Sequence, residues 1–322
     1  MTGTLAEPIV GPMDVYHHWG DMAKKDDGPR AVTIGNFDGV HAGHRRLLAF
    51  ARERAASMGL GLAVLTFEPH PSRLLRRDVP PMRLASPKRK LELLDELGVG
   101  TVLAQRFDRA FASLEPEAFA RDVIADAMAA RLVAVGENFR FGPARVGDVD
   151  LLRGLGQDAG FQVAALEMVT SDGKGVSSSR IRDLLLAGDV ERAARLLGRP
   201  HEIVGHVVEG AGEGAGLGFP TINLGGIETL VPGPGIYAGR VEIGGDTFAA
   251  AAYIGDRPTL GHGATVEAHL LDFDGDLYGK EATLRTTAKI RDEIRFERVA
   301  DLKKQMARDV EAVRRALEAA DG

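Results

Sequence analysis

The stretch G-N-F-D-G-V-H-A-G-H, residues 35–44, decides the fold because it joins a strand to a helix through a glycine-rich turn. The run before it, A-V-T-I from Ala31, has the continuous apolar character of a strand that is buried on both faces. Apolar residues then recur at helical spacing: Leu47, Ala51, Ala55 and Met58. The pattern therefore predicts a strand, a turn and a helix whose first turn carries His41 and His44.

The same alternation continues to residue 166. Gly59 and Gly61 end the first long helix. Further strands are predicted at 62–67, 101–104, 131–136 and 161–166, and further helices at 117–130 and 148–156. Strands that alternate with helices predict a parallel sheet covered on both faces, with ligands at the carboxyl ends of the strands.

The pattern changes after residues 197–200, L-G-R-P, where a cap glycine and a proline end a helical stretch. Short alternating runs with glycine-rich turns follow, which predicts an antiparallel sheet or small β-barrel. A terminal helix is predicted from its apolar stripe: Val299, Leu302, Met306, Val310, Val313 and Leu317. We therefore divide the chain into a domain at 1–186, a connecting helical segment at 187–200 and a second domain at 201–322.

Length and composition exclude several classes of protein. The 322 residues are enough for two domains at about 150 residues each, and the absence of cysteine excludes disulfides. The 40 basic and 46 acidic residues give a net charge of −6, so no overall field favours nucleic acid. No apolar run approaches the roughly 20 residues of a membrane span. We predict a cytoplasmic protein that binds neither nucleic acid nor membrane, and we interpret the adjacent His17 and His18 as solvated surface.

The two histidines of the opening stretch favour phosphate chemistry. His41 and His44 lie three residues apart, on one side of a helix start, where free N–H groups and the helix dipole attract anions. Gly39 and Gly43 would let phosphate oxygens approach the backbone. A metal site without an evident third ligand and simple helix capping are the competing interpretations.

Three further motifs follow in order: T-F-E-P-H-P at 66–71, V-G-E-N-F-R-F-G at 135–142 and V-S-S-S-R-I-R at 176–182. The segment 41–44 matches the H-x-G-H signature of nucleotidyltransferases, which work on a Rossmann-like sheet. Together the four motifs resemble the FMN adenylyltransferase half of the bacterial bifunctional riboflavin kinase/FAD synthetases. This resemblance implies that FMN is adenylylated by ATP, with release of pyrophosphate.

The resemblance also implies roles for single residues. His41 and His44 would bind and neutralise the ATP phosphates while the FMN phosphate attacks the α-phosphorus. Asn138 would line the cleft shared by flavin and nucleotide. Further contacts to ATP or its phosphates would come from Gly35, Phe37, Gly39 and Gly43.

Ser177, Ser179 and Arg182 would hold the triphosphate by the same resemblance. Serines at a helix start offer hydroxyls and N–H groups to an anion, and an arginine adds a charge-assisted fork. An ordinary N-cap with an exposed arginine is the alternative. The family usually has Thr at the position of Ser179 and Asp at that of Glu68, and the second change is expected to shift one wall of the site.

The second domain carries G-L-G-F-P-T-I-N-L at 216–224, in which Thr221 and Asn223 face the same way on an extended segment. Two neutral oxygen ligands suit Mg²⁺ that arrives with ATP, although P-T-I-N alone could be a turn that enters a strand. The segment resembles the P-T-x-N signature of riboflavin kinases, with Gly218 as an ATP contact. The resemblance extends through four flanking stretches: 235–241, 253–261, 266–280 and 290–297.

Glu267 lies in an alternating strand with Val266 and Ala268 on the opposite face. By resemblance it is the catalytic base that activates the ribityl 5′-hydroxyl of riboflavin, whereas from spacing alone it could be a solvent-facing glutamate. The loop 212–216, G-E-G-A-G, has an acid where relatives usually have basic residues, which predicts a working kinase with weak ATP binding. We reject a calcium loop at 272–276, because its glycine comes too early for an EF-hand.

The sequence thus predicts a two-step enzyme. The second domain would phosphorylate riboflavin to FMN, and the first would convert FMN to FAD, both with ATP and Mg²⁺. The alternatives are an FMN adenylyltransferase with a weakened or inactive kinase, and a flavin-binding regulator. The predicted partners are the small molecules ATP, riboflavin and FMN, and no oligomeric state is predicted.

Overall fold

The structure, a computed structural model, describes residues 13–23, 28–75, 82–210, 218–255 and 265–321. These residues form two compact units. The first ends at Val176, and the second begins at Ser177 and also includes residues 82–86. The predicted division of the chain at residues 186 and 200 stays a prediction.

The first unit is built on six parallel strands. They are β1 Asp14–Tyr16, β2 Arg30–Ile34, β3 Gly61–Glu68, β4 Thr101–Arg106, β5 Ala130–Gly136 and β6 Gln162–Leu166. Their order in the sheet is β1-β4-β3-β2-β5-β6, and every pairing is parallel. This confirms the predicted parallel sheet and places β2, which precedes the opening stretch, at its centre.

Helices and one short hairpin complete the first unit. The helices are α1 Trp19–Met22, α2 Ala42–Met58, α3 Ser72–Leu75, α4 Pro87–Asp95, α5 Arg109–Ala112, α6 Pro116–Ala118 and α7 Val149–Ala159. A π-helical segment, Phe119–Ala127, continues α6, and a short 3₁₀ turn spans Pro143–Arg145. The hairpin consists of β7 Thr170–Ser171 and β8 Lys174–Gly175.

Two apolar clusters of the first unit account for the near-continuous apolar strands. One joins Val32 and Ile34 of β2 to the π-helical segment and α7. The other joins Val64 of β3 to Leu48 of α2 and Leu94 of α4. Successive residues of a strand point to opposite faces, so strands that are buried on both faces need no polar alternation.

Two details of the predicted helices were wrong. Met58, expected on the buried stripe of α2, is 41% exposed, because it lies in the last turn before the left-handed cap Gly59. The helix expected at 117–130 ends at Ala127, where π-type bonding from Met128 N–H to the Val123 carbonyl closes it, and β5 already begins at Ala130.

In the residues that the structure describes, the second unit is a closed antiparallel barrel accompanied by three helices. The helices are α8 Ser178–Leu186, α9 Val190–Leu197 and α10 Val299–Asp321. The strands are β9 His201–Val208, β10 Thr221–Gly225, β11 Gly235–Ile243, β12 Asp246–Gly255, β13 Thr265–Leu270 and β14 Glu281–Arg291. They close in the order β10-β13-β12-β11-β14-β9. Gly198 ends α9 with a left-handed cap, as the L-G-R-P pattern predicts.

The terminal helix α10 packs on the barrel through the C-terminal part of its apolar stripe. Val313 and Leu317 are buried against Ala238 and Leu271. Val299, also expected on that stripe, is 66% exposed, so the buried face begins further along the helix. Among the residues that the structure describes, no helix is long and apolar enough to cross a membrane.

Candidate active sites

The turn between β2 and α2 places both predicted histidines. His41 is the N-cap of α2, and its Nδ1 accepts a hydrogen bond of 3.4 Å from the His44 backbone N–H. A Cβ at Gly43 would lie 3.1 Å from Cε1 of His41, so glycine leaves room for that ring. Phe37 adopts a left-handed backbone (φ 49°) inside the turn and is fully buried.

The two histidine rings stack. Their centroids are 3.7 Å apart at an interplanar angle of 14°, and the Phe37 ring lies 4.9 Å from that of His44. Nδ1 of His44 is buried and has no hydrogen-bond partner in the described part of the chain. Burial, and then the positive charges of His41 and Lys90, hold the pKa of His44 well below its usual range.

These features fit a site that accepts an anion. The lowered pKa favours the neutral form of His44 when no anion is bound. The first N–H groups of α2 point out of the helix and favour phosphate. A phosphate beside the ring would bring a negative charge there and would raise the pKa of His44.

The carboxyl end of β3 forms a second wall of the first unit's site. Thr66 is fully buried, and its hydroxyl donates a 3.0 Å hydrogen bond to the carbonyl of Asn36 in the turn. Nζ of Lys90 lies 3.4 Å from Oγ1 of Thr66 and 3.7 Å from Oε2 of Glu68. The sequence motifs did not reveal Lys90, although it is 8% exposed and acts on His44.

Asn138 lies in the first unit, just after β5, and is exposed. The strand β5 neighbours β2, so Asn138 and the histidine turn both follow carboxyl ends of adjacent strands. Gly35 begins the turn and donates its N–H to the Leu65 carbonyl at 3.1 Å, and Gly39 has a left-handed backbone (φ 80°). The structure thus brings the turn, Thr66 and Asn138 to one edge of one sheet.

Ser177, Ser179 and Arg182 belong to the second unit. Ser177 is the N-cap of α8, with its hydroxyl accepting a 3.3 Å hydrogen bond from the Arg180 N–H. Ser179 is exposed in the first turn, and Nε of Arg182 donates to the Met82 carbonyl at 2.8 Å. The predicted helix start at the serines is therefore confirmed, and their triphosphate contact stays a prediction.

Strand pairing in the barrel aligns the predicted kinase residues. Asn223 of β10 is directly paired with Glu267 of β13, and Thr221 is paired with His269. Paired residues of an antiparallel ladder lie on the same face, with Cβ atoms about 5 Å apart. Val266, Ala268 and Leu270 are buried on the opposite face, so Glu267 shares a face with both predicted magnesium ligands.

Two residues that the sequence did not reveal flank this group. Tyr253 of β12 is paired with Glu267 on its other side, and its hydroxyl donates a 2.7 Å hydrogen bond to Oε1 of Glu293. Gly210 follows β9, and a Cβ there would lie 2.5 Å from Cγ of Asn223. Asn223 is also paired with Val208 of β9, so its side chain is held between two strands and a glycine.

Gly218 lies just before β10 with a left-handed backbone (φ 87°). Its predicted ATP contact stays a prediction. The loop 212–216, on which the expectation of weak ATP binding rests, lies outside the described residues.

The comparisons with known proteins assign both units. A FAD synthetase family model matches residues 23–180, and a riboflavin kinase family model matches residues 197–317. The bifunctional riboflavin kinase/FMN adenylyltransferase of Pseudomonas fluorescens is 41% identical over 88% of this chain and 91% of its own. That of Escherichia coli (strain K12) is 40% identical over 86% of this chain and 90% of its own.

A solved structure matches almost the whole chain. It is described as a macrolide-efflux protein from Streptococcus pneumoniae, with 29% identity, a TM-score of 0.85, and coverage of 94% of this chain and 98% of that one. The likeness supports the architecture of both units.

The fold and the two sites define the class. The first unit, a parallel sheet with stacked histidines at a helix start, is a nucleotidyltransferase unit. The second unit, a closed barrel that bears a P-T-I-N strand, is a flavokinase unit. The chain belongs to the family of bifunctional riboflavin kinase/FMN adenylyltransferases. It is accordingly a transferase of phosphorus-containing groups in flavin cofactor synthesis, and its activities depend on ATP.

Proposed function

We propose that the barrel phosphorylates riboflavin with Glu267 as the base. The carboxylate accepts the proton of the ribityl 5′-hydroxyl while that oxygen attacks the γ-phosphorus of ATP, and ADP leaves. The observation that carries this proposal is the direct pairing of Glu267 with Asn223 across β13 and β10. This pairing supports the proposal, because a base and a metal ligand on neighbouring strands and on the same face can act on the same substrate atoms.

Thr221 and Asn223 would hold Mg²⁺ in this unit. The threonine hydroxyl and the asparagine amide are neutral oxygen donors on one strand face, a set that fits an ion which keeps most of its waters. When bound, the ion neutralises phosphate charge. Thr221 and Asn223 therefore also help to orient the nucleotide beside Glu267.

In the first unit we propose that His41 and His44 bind the phosphates of ATP. A phosphate oxygen of FMN attacks the α-phosphorus, the bond to the β-phosphate oxygen breaks, and pyrophosphate leaves. No covalent intermediate is needed, since positioning and charge stabilisation carry such transfers. The stacked rings at the start of α2 support this role, because a phosphate beside them would raise the pKa of His44 and so favour its protonated form.

The remaining assignments for adenylyl transfer follow the family resemblance. Asn138 would contact flavin or nucleotide, and backbone groups at Gly35, Phe37, Gly39 and Gly43 would contact ATP. Ser177, Ser179 and Arg182 keep their predicted role toward the triphosphate. The substrates are small molecules, and location in the cytoplasm stays a prediction.

The test is product analysis with matched variants. Purified protein is incubated with Mg-ATP and either riboflavin or FMN, and the flavins are separated by chromatography. Glu267→Gln should abolish FMN formation from riboflavin and spare FAD formation from FMN, and His44→Ala should do the reverse. Equal loss of both steps in either variant would contradict the division of labour, and absence of any product from the wild type would refute the function.

A further inference from the structure

Lys90 stands out because it is a nearly buried lysine with no role in the steps above. It lies in α4, and only 8% of its surface is exposed. Burying an ammonium group is costly unless polar partners or opposite charges surround it. Its neighbours at the end of β3 are Thr66 and Glu68, with Nζ 3.4 Å from Oγ1 and 3.7 Å from Oε2 respectively.

These contacts connect Lys90 to the histidine turn. The Thr66 hydroxyl that faces Nζ donates its own proton to the Asn36 carbonyl at 3.0 Å. Asn36 is the second residue of the turn that ends at His44. A displacement of Lys90 would therefore reach the turn through a single fully buried threonine.

Lys90 also contributes charge at the histidines. Its positive charge is one of the causes that lower the pKa of His44. A field that disfavours a proton on this ring favours an anion at the same place, because both effects have one electrostatic origin.

We propose that Lys90 is a positioning residue of the adenylyl-transfer site, which anchors the histidine turn through Thr66 and supplies a fixed positive charge that favours nucleotide phosphate at His44. The inference rests on the proposed function of this unit. Glu68, whose Oε2 lies 3.7 Å from Nζ, offsets part of this charge.

The experiment measures ATP kinetics of FMN adenylylation for Lys90→Met, Lys90→Arg and the exposed neighbour Lys88→Met. Met is one atom shorter than Lys, keeps its unbranched apolar stem and removes the charge. We expect Lys90→Met to raise the KM for ATP by about tenfold, with kcat within about threefold of wild type. Lys90→Arg should recover most of the affinity, and Lys88→Met should match wild type.

A second variant acts in the opposite direction. Glu68→Gln removes the moderating charge but keeps Lys90, so the KM for ATP should fall or stay equal. Riboflavin phosphorylation by the same preparations reports that the second unit is folded, and a kcat for FAD formation near that of wild type reports the same of the first unit. An unchanged KM in Lys90→Met, or a loss that Lys90→Arg shares in full, overturns the inference. A wild-type protein that makes no FAD from FMN would refute the proposed function instead.

Discussion

Replacing Gly210 by alanine should disable the kinase while the adenylyltransferase stays active. The added Cβ would lie 2.5 Å from Cγ and 2.8 Å from Oδ1 of Asn223, and closer still to Nδ2. Ordinary contact of a Cβ begins near 3.4 Å, so Cγ of Asn223 must move away by about 0.9 Å and Nδ2 by more than that. Asn223 cannot withdraw with its backbone, because it is paired with both Val208 and Glu267.

A displacement of about 1 Å in a positioned group can cost about 100-fold in rate, and we expect a loss of that order in kcat for FMN formation. Because Asn223 is a proposed magnesium ligand, the Mg²⁺ concentration that gives half-maximal rate should also rise. FAD formation from FMN, measured in the same sample, should be unchanged.

The matched control is Glu209→Ala, which alters the adjacent exposed residue and leaves the space beside Asn223 intact. A Gly210→Ala enzyme whose kinase rate and Mg²⁺ dependence stay within twofold of wild type would show that the amide position is not critical. The proposed ligand role of Asn223 would then lose its structural support.

Three further predictions concern pH, ATP affinity and stability. Because the pKa of His44 is lowered in the folded chain, the unfolded chain takes up this proton first. Stability should therefore fall as pH drops below about 6.5, by at most about 1.4 kcal/mol per pH unit, and His44→Gln should lack this slope in urea titrations. The acidic loop 212–216 predicts weak ATP binding by the kinase, and a KM for ATP in the low micromolar range would refute it. Asp309→Ala should lower the free energy of unfolding by about 3–5 kcal/mol, since it strands Arg291, whose guanidinium binds Asp309 at 2.7 and 2.9 Å. The exposed Asp301→Ala, as control, should change it by less than about 1 kcal/mol.

Much of the fold follows from local patterns. The apolar run before Gly35 and the helical spacing after it specify β2 and α2, and Gly198 specifies the end of α9. The face of Glu267 also follows from alternation along one strand. Each of these features depends on residues that are close in sequence, which is why the sequence predicts them.

Pairing between distant segments is different. Nothing in the sequence indicates that Glu267 lies opposite Asn223 and beside Tyr253, because register is set by the closure of the whole barrel. The contact between Gly210 and Asn223 likewise exists only once β9 and β10 are paired.

Lys90 was missed for another reason. It stands in the run P-K-R-K, which is typical of a solvated helix surface. A signal was nevertheless present, since Lys90 lies three and four residues before the buried Leu93 and Leu94 and so shares their helix face. A charged residue on an otherwise apolar helix face indicates a candidate functional site. In this helix the basic composition of residues 87–90 masked that indication.

Tyr253, Glu267 and Asn223 are aligned by the register of three neighbouring strands of the barrel, β12, β13 and β10. Side chains alternate with period two, so an insertion or deletion of one residue within β13 would turn Glu267 toward the barrel interior and expose its apolar neighbours. A substitution changes one side chain of this site, whereas a change in the length of the strand would destroy the alignment of the site. Insertions and deletions that preserve the kinase are therefore expected in the turns between strands, where a change of length does not shift the register of the strands.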